Sequence, residues 1–281
     1  MSGVAPDLLA KIEATAVELA RLAAAEIRSM LGKVLAVEYK LTEPSGTSLK
    51  DPVSEVDRRV ETLVRARLAD SFPGHDILGE ESEERPGRES DFVWAIDPID
   101  GTANFVNGFP LFAASIGVLH RHEPIAGAIW CSATHALRNG VYHARAGGAL
   151  HFEDAKIERT GNPAVRRWLA GDPELGSPPG VPWEVRKTGS AAIECAFAAA
   201  GLLRVARFKA PNVWDVAAGL ALVQASGGSV MERRADGWQG FERFEAVAHS
   251  KEALADLRHW RRPLIVGEPE AVAMLAEVAP A

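Results

Sequence analysis

At 281 residues, with 47% hydrophobic and 25% charged side chains and no low-complexity tract, the chain has the make-up of one ordered globular unit or two closely packed halves, which excludes a disordered or fibrous protein. A formal net charge of −7 opposes binding to a polyanion, so nucleic acid is not the expected main ligand, and an acidic protein that handles phosphates needs cations. The two cysteines, Cys131 and Cys195, stand in apolar stretches without a His or Cys at ligand spacing, as expected of reduced thiols in the cytoplasm; no membrane span or leader peptide is expected.

Residues 5 to 31 are rich in Ala, Leu and Glu, and the recurrence of Leu8, Ile12, Leu19, Ala23 and Ile27 predicts a long amphipathic helix. After a loop at residues 44 to 46, Ser54 can cap a second helix through about Ala69, with Val56, Val60, Leu63, Val64 and Leu68 on one face and Pro73-Gly74 ending it. The run Phe92 to Ile96 predicts a buried strand that stops where Asp97 and Pro98 begin. Apolar stretches at 112 to 119, 125 to 131 and 141 to 144 predict further strands, and the Gly147-Gly148 pair before a polar region places a division near residue 146. The halves are then 1–146, with most of the candidate site, and 147–281, which completes it. In the second half residues 190 to 200 and 215 to 225 read as helices, 203 to 208 and 229 to 232 as extended, and the tail as a strand with closing helices whose aromatics are core.

Asp97 and Asp100 are three residues apart, restrained by the fixed φ of Pro98, where a buried strand ends. Carboxylates crowded in this way repel unless cations neutralise them, and hard oxygen donors select Mg2+, Mn2+ or Ca2+. If a helix starts next, the N–H groups of Gly101 and Thr102 face the same cleft and can take phosphate oxygens. Each segment by itself has a plainer reading: Asp97 to Gly101 as a turn with Thr102 as N-cap, Glu80 and Glu81 as a solvated pair, Asp215 as a helix N-cap.

Taken together, Asp51-Pro-Val-Ser-Glu-Val-Asp57, Gly79-Glu-Glu-Ser82, Trp94 to Phe105 continuing through Pro110, and Trp214-Asp-Val-Ala-Ala-Gly219 leading to Gly227-Gly228 resemble the inositol monophosphatase family in four motifs and in their order. The resemblance implies an α/β, α+β layered fold, an alternating α-β-α-β-α sandwich shared with fructose bisphosphatases and usually assembled as a homodimer. It implies Mg2+-dependent hydrolysis of a small phosphorylated metabolite by metal-activated water. Glu80, Asp97, the carbonyl of Ile99, Asp100 and Asp215 would ligate two to three Mg2+ ions, with Mn2+ as a substitute. Asp51 and Thr102, with the metal held by Glu80, would prepare the water. Gly189, Ser190, Ala191 and Asp100 would contact the substrate.

Family members that prefer inositol phosphates carry an acidic residue seven positions before the Trp-Asp aspartate, where this chain has Phe208, and Arg204 stands where an Asp is common. Either Phe208 faces the core and Arg204, Arg207 and Lys209 are a solvated strand face, or the site favours an ester with fewer hydroxyls or a second negative group. Histidinol phosphate and sugar phosphates or bisphosphates are alternative substrates. A non-enzymatic role beside RNA-handling machinery is the alternative of a different class, against which the intact ligands argue. Arg258, Arg261 and Arg262 read as a solvated helix end.

Overall fold

The computed structural model describes residues 3–33, 35–41, 49–82, 90–158, 164–171, 181–245 and 257–278, so the loop expected at residues 44 to 46 lies outside it. Helix α1 (Pro6–Met30) buries Leu9, Ile12, Ala16, Leu19, Ala23 and Ile27, while Leu8 sits at the margin of that stripe. After the hairpin of β1 (Val37–Leu41) and β2 (Leu49–Ser54), helix α2 (Glu55–Ser71) starts at Ser54, whose hydroxyl accepts the Val56 N–H at 3.2 Å. The Asp57 carboxylate answers by accepting the Ser54 N–H at 2.8 Å. The buried face of α2 comprises Val56, Asp57, Val60, Glu61, Val64 and Leu68. Leu63 is exposed, because it lies on the flank of a stripe that includes the two acidic residues.

A seven-stranded sheet follows in the order β3 (Asp76–Gly79), β4 (Phe92–Asp100), β5 (Ala113–His120), β6 (Glu123–Cys131), β7 (Gly140–Arg145), β8 (His151–Phe152) and β9 (Ala155–Lys156). It therefore continues past residue 146 as far as Lys156. Only the β3–β4 pair is parallel. Strand β4 does not stop at Ile96 as expected but runs on to Asp100, with a register shift opposite β5 between Asp97 and Asp100. A bulge tolerates Pro98 and re-aims the carboxylates on either side of it.

Helix α3 (Thr102–Val106) leads into that sheet, and the second half contributes α4 (Ala191–Ala200), α5 (Val213–Ala225) and α6 (Pro269–Val278). Its own sheet has six strands in the order β11 (Trp183–Arg186), β10 (Trp168–Gly171), β12 (Val205–Phe208), β15 (Leu264–Gly267), β13 (Ser229–Arg234) and β14 (Gly237–Gly240). Three apolar clusters give the layers. One joins α1 and α2 to Trp94, Ile96, Ile116 and Val118 of the first sheet. Another sets α4 and α5 between the opposite face of that sheet and residues Ala206, Phe208, Leu264 and Val266 of the second. The last packs α6 on the outer face, against Ala170, Val205 and Ile265. The result is an α-β-α-β-α sandwich. Trp260 and Phe244 of the tail are fully buried with ring centroids 4.9 Å apart, and both cysteines are buried. No helix among the described residues is long and apolar enough to cross a membrane.

Two glycines set how closely α5 approaches the first sheet. A methyl group at Gly117 would lie 2.6 Å from the Ala218 nitrogen, and one at Gly127 would lie 2.4 Å from the Ala218 carbonyl oxygen. The helix backbone therefore rests directly on β5 and β6, which lowers Asp215, one turn earlier, toward the end of β4.

Candidate active site

Asp97 is buried, and its Oδ1 has no hydrogen-bond partner. Burial, then the nearby charges of Glu80, Asp100, Asp215 and Asp57, hold its carboxyl well above the ordinary carboxylate range. Asp100 is pushed up to about 6 by burial, offset in part because its Oδ2 accepts the Ser190 hydroxyl at 2.7 Å and the Ala192 N–H at the start of α4. Asp215 is pushed up to about 8 by burial and by Asp100 beside it. It stands in the first turn of α5, where its Oδ2 accepts the Asn212 N–H at 2.7 Å; Asn212, not Asp215, holds the N-cap position.

Glu80 follows β3 directly, and its N–H donates to the Ile96 carbonyl at 3.3 Å. The turn that carries it is fixed from two sides. The fully buried Glu61 of α2 accepts the N–H groups of Glu81 at 2.8 Å and Ser82 at 3.2 Å. From the tail, Arg258 donates to the carbonyls of Gly79 at 2.7 Å and Ser82 at 3.0 Å. Arg258 and Arg261 also lie over the Trp214 ring at 5.3 and 5.6 Å, and Arg262 donates to the buried Glu232 at 3.1 Å. Arg258 and Arg262 are thus not part of a solvated helix end, because these carbonyls and this carboxylate are their partners, while Arg261 is exposed beside the Trp214 ring.

Ile99, in the bulge, offers its carbonyl to the Thr102 hydroxyl at 2.7 Å. Thr102 Oγ also lies 3.2 Å from Oδ1 of Asp57, a buried carboxyl pushed up to about 6 by desolvation. The side chain of Asp51, expected beside Thr102, lies outside the described residues. Among the described residues the carboxylate within reach of the Thr102 hydroxyl is Asp57, to which the sequence analysis assigned no role. A signal was present: Asp57 sits three, seven and eleven residues before Val60, Val64 and Leu68, on the buried stripe of α2. Gly101 adopts φ +88°, and a methyl there would meet the Gly189 and Leu111 carbonyls at 3.2 Å, so the starts of α3 and α4 lie close together. Asn104 reinforces this by donating to the Thr188 carbonyl at 2.8 Å.

A cavity of about 270 Å3 opens beside Asp215, walled by Gly189, Ser190 and Ala191 of the α4 start and by Lys187, Arg207, Phe208 and Lys209. Phe208 belongs both to this wall and to the core. Arg204 does not line it. Its guanidinium stacks on Trp168 at 3.9 Å from the ring centroid and pairs with Glu268, which turns it away from the cavity.

Comparison with known proteins agrees with this fold. The inositol monophosphatase family profile matches residues 8–262. An inositol-1-monophosphatase of Rhizobium meliloti is 33% identical over 214 residues, covering 70% of this chain and 79% of that one. A Nus factor SuhB of Pasteurella multocida is 30% identical over 225 residues, covering 72% and 80%. Among solved structures, the inositol monophosphatase of Thermotoga maritima superposes with a TM-score of 0.68 at 26% identity, covering 93% of this chain and 95% of the other. Fold and family are those of a phosphoric monoester hydrolase. The chain belongs to the inositol monophosphatase family, whose members are metal-dependent, usually on Mg2+.

The residues present fit such an ion. All the donors are oxygens, one buried carboxylate oxygen lacks any partner, and burial together with the charges of neighbouring acids raises Asp97, Asp100 and Asp215 above the ordinary carboxylate range in the protein alone. The pH dependence follows. Asp215 titrates near 8 in the folded chain against an ordinary value of 3.8, so between those values the native state binds more protons than the unfolded one. Stability of the metal-free protein therefore falls as pH rises through that window. Asp215→Asn is expected to raise the metal-free unfolding midpoint at pH 8, where even ~1 kcal/mol moves the midpoint of a chain this size by about 2–4 °C. Thermal unfolding in EDTA at pH 5 and pH 8 measures it; a variant less stable than the native protein at pH 8 overturns the assignment.

Proposed function

We propose that the chain hydrolyses a small-molecule phosphate monoester with two to three Mg2+ ions, Mn2+ substituting. The observation that carries this reading is a buried Asp97 oxygen without a partner, on a carboxyl that feels the charges of Glu80, Asp100 and Asp215, together with a cavity of metabolite size that Asp215 lines. These four, with the Ile99 carbonyl, would hold the cations. Bound there, divalent cations supply positive charge opposite the phosphoryl oxygens and ease loss of a proton from the attacking water.

The protein's own groups do the rest. Asp57 and Thr102 orient the water, their hydroxyl–carboxylate contact being held by Ser54 and the Ile99 carbonyl. The first N–H groups of α3, at Gly101 and Thr102, point out of the helix without intrahelical partners and suit phosphoryl oxygens, on which charge is spread in the transition state. The Gly189-Ser190-Ala191 segment, fixed by Asp100, sets the position of the alcohol portion.

Apart from Asp215, the charged residues of the wall are Lys187, Arg207 and Lys209 against Glu194, a positive balance that favours an ester with a second anionic group. Phe208 offers no acceptor to a polyol hydroxyl, which costs ~1–3 kcal/mol, or about 10- to 100-fold in specificity. Phosphate release in Mg2+ from inositol 1-phosphate, histidinol phosphate, a sugar bisphosphate and an aryl phosphate tests this. The bisphosphate is expected to lead in kcat/KM, Phe208→Glu to improve the inositol ester, and Arg207→Ala with Lys209→Ala to raise KM for the bisphosphate alone. A native preference for inositol 1-phosphate that Phe208→Glu leaves unimproved overturns the pocket reading. No hydrolysis of any ester in Mg2+ or Mn2+ overturns the enzymatic one and turns attention to the role of the SuhB-named relative.

A further inference from the structure

Three strands across the first sheet from β4, a second cluster of ligand-type side chains joins α1 to the sheet. Glu13 of α1, His143 of β7 and His151 of β8 bring one donor atom each to within 4.8 Å of one another. The rings of His143 and His151 stack with centroids 5.2 Å apart and planes 11° apart. None of the three belongs to the carboxylate site.

The protonation pattern is constrained by geometry. His143 Nε2 lies 2.8 Å from the Glu153 carbonyl, which can only accept, so that nitrogen carries its hydrogen. His143 Nδ1 lies 2.8 Å from Glu13 Oε1, another acceptor, so a positive centre must sit between them: a proton or a metal. His151 Nδ1 is likewise committed to the Ala149 carbonyl at 3.0 Å, which leaves its Nε2 as the free donor. Histidines whose other N–H is held by a backbone carbonyl are oriented as metal ligands are. Arg145 takes the second oxygen of Glu13 and leaves Oε1 as a single ligand atom. A bridging proton needs only two acceptors, and the position of His151 as a third donor is what distinguishes the metal.

We propose that Glu13, His143 and His151 bind one first-row transition-metal dication, with Zn2+ as the redox-inert case, and that this ion clips α1 to β7 and β8. Two imidazoles and one carboxylate favour such metals over Mg2+ and leave a fourth position open. Binding replaces the proton on His143 Nδ1. The groups facing that ring are Glu13 and Arg21 from α1, Arg145 from β7, and Glu153 and His151 from the β8 hairpin. Because the ion takes the place of that proton, one proton is released on binding and affinity rises with pH.

The test uses the full chain, stripped with EDTA and then kept in millimolar Mg2+ so that the carboxylate site is not the one being read. Equilibrium dialysis with Zn2+, and visible absorption with Co2+, report the second site. One Zn2+ per chain is expected, retained in Asp97→Asn and weakened about 100-fold in His151→Gln and in His143→Gln, the upper end of what even an outer partner contributes. His151 is only partly buried, and its substitution leaves the His143–Glu13 contact in place, so loss of Zn2+ in a variant whose unfolding midpoint in EDTA is unchanged identifies ligation. Absence of Zn2+ from the native protein in Mg2+, or equal retention by His151→Gln, means that the bridge is a proton only and overturns the proposal. Either result leaves the phosphatase reading untouched.

Discussion

Asp97→Asn is expected to lower turnover at least ~100-fold while leaving the fold intact, the range found when a preorganised charged group is removed from an active centre. Among the acids of the site, Asp97 feels Glu80, Asp100, Asp215 and Asp57 together, and its free oxygen is the one buried carboxylate atom of that group without a partner. The amide is nearly isosteric and removes a like charge from a repelling cluster, so the metal-free variant should be no less stable than the native chain. On the proposed assignment it gives up a shared anionic ligand, so Mg2+ affinity is expected to fall. Steady-state hydrolysis across a Mg2+ titration, together with thermal unfolding in EDTA, separates the two effects. Near-normal activity at limiting Mg2+ would remove Asp97 from the centre of the site.

Much of this was legible before any coordinates. Periodicity located α1, α2, α4 and α5, because Ala, Leu, Val and Ile dominate their buried faces even where acids such as Asp57 and Glu61 interrupt them. The acids of the Asp-Pro-Ile-Asp and Trp-Asp segments were visible as a group only by resemblance, since each has an ordinary local explanation. The strand end was misplaced because a proline normally closes a strand, whereas here a bulge absorbs Pro98 and pairing resumes at Asp100. What could not be read was long-range. Nothing local announces that Arg258, far along the chain, grips the turn of Glu80, or that Glu268 and Trp168 draw Arg204 off the pocket while Arg207 and Lys209 of the same strand region remain on its wall. Those choices follow from the order of strands in the second sheet, with β15 set beside β12.

The second large effect concerns which acid prepares the water. Thr102 has one hydroxyl proton and two acceptors in reach, the Ile99 carbonyl at 2.7 Å and Asp57 Oδ1 at 3.2 Å. A cation taking the Ile99 carbonyl would compete for its lone pairs and turn that proton toward Asp57, leaving the Thr102 oxygen to accept from a water. Asp57 is fixed for this by the Ser54 N–H and hydroxyl, at 2.8 and 2.6 Å on its other oxygen. Asp57→Asn and Thr102→Ala are therefore each expected to cost about 100-fold or more in kcat, as loss of a positioned proton acceptor does. The double substitution should cost little beyond either one, because the two act as a unit. Thr102→Ser keeps the hydroxyl and should retain most activity, and the apparent Mg2+ affinity should change far less than in Asp97→Asn. Asp51→Asn, on the strand preceding α2, is the comparison that decides. If it lowers kcat as much as Asp57→Asn is expected to, while Asp57→Asn leaves kcat near normal, the water belongs to Asp51, and the contact between Asp57 and Thr102 only braces the start of α3.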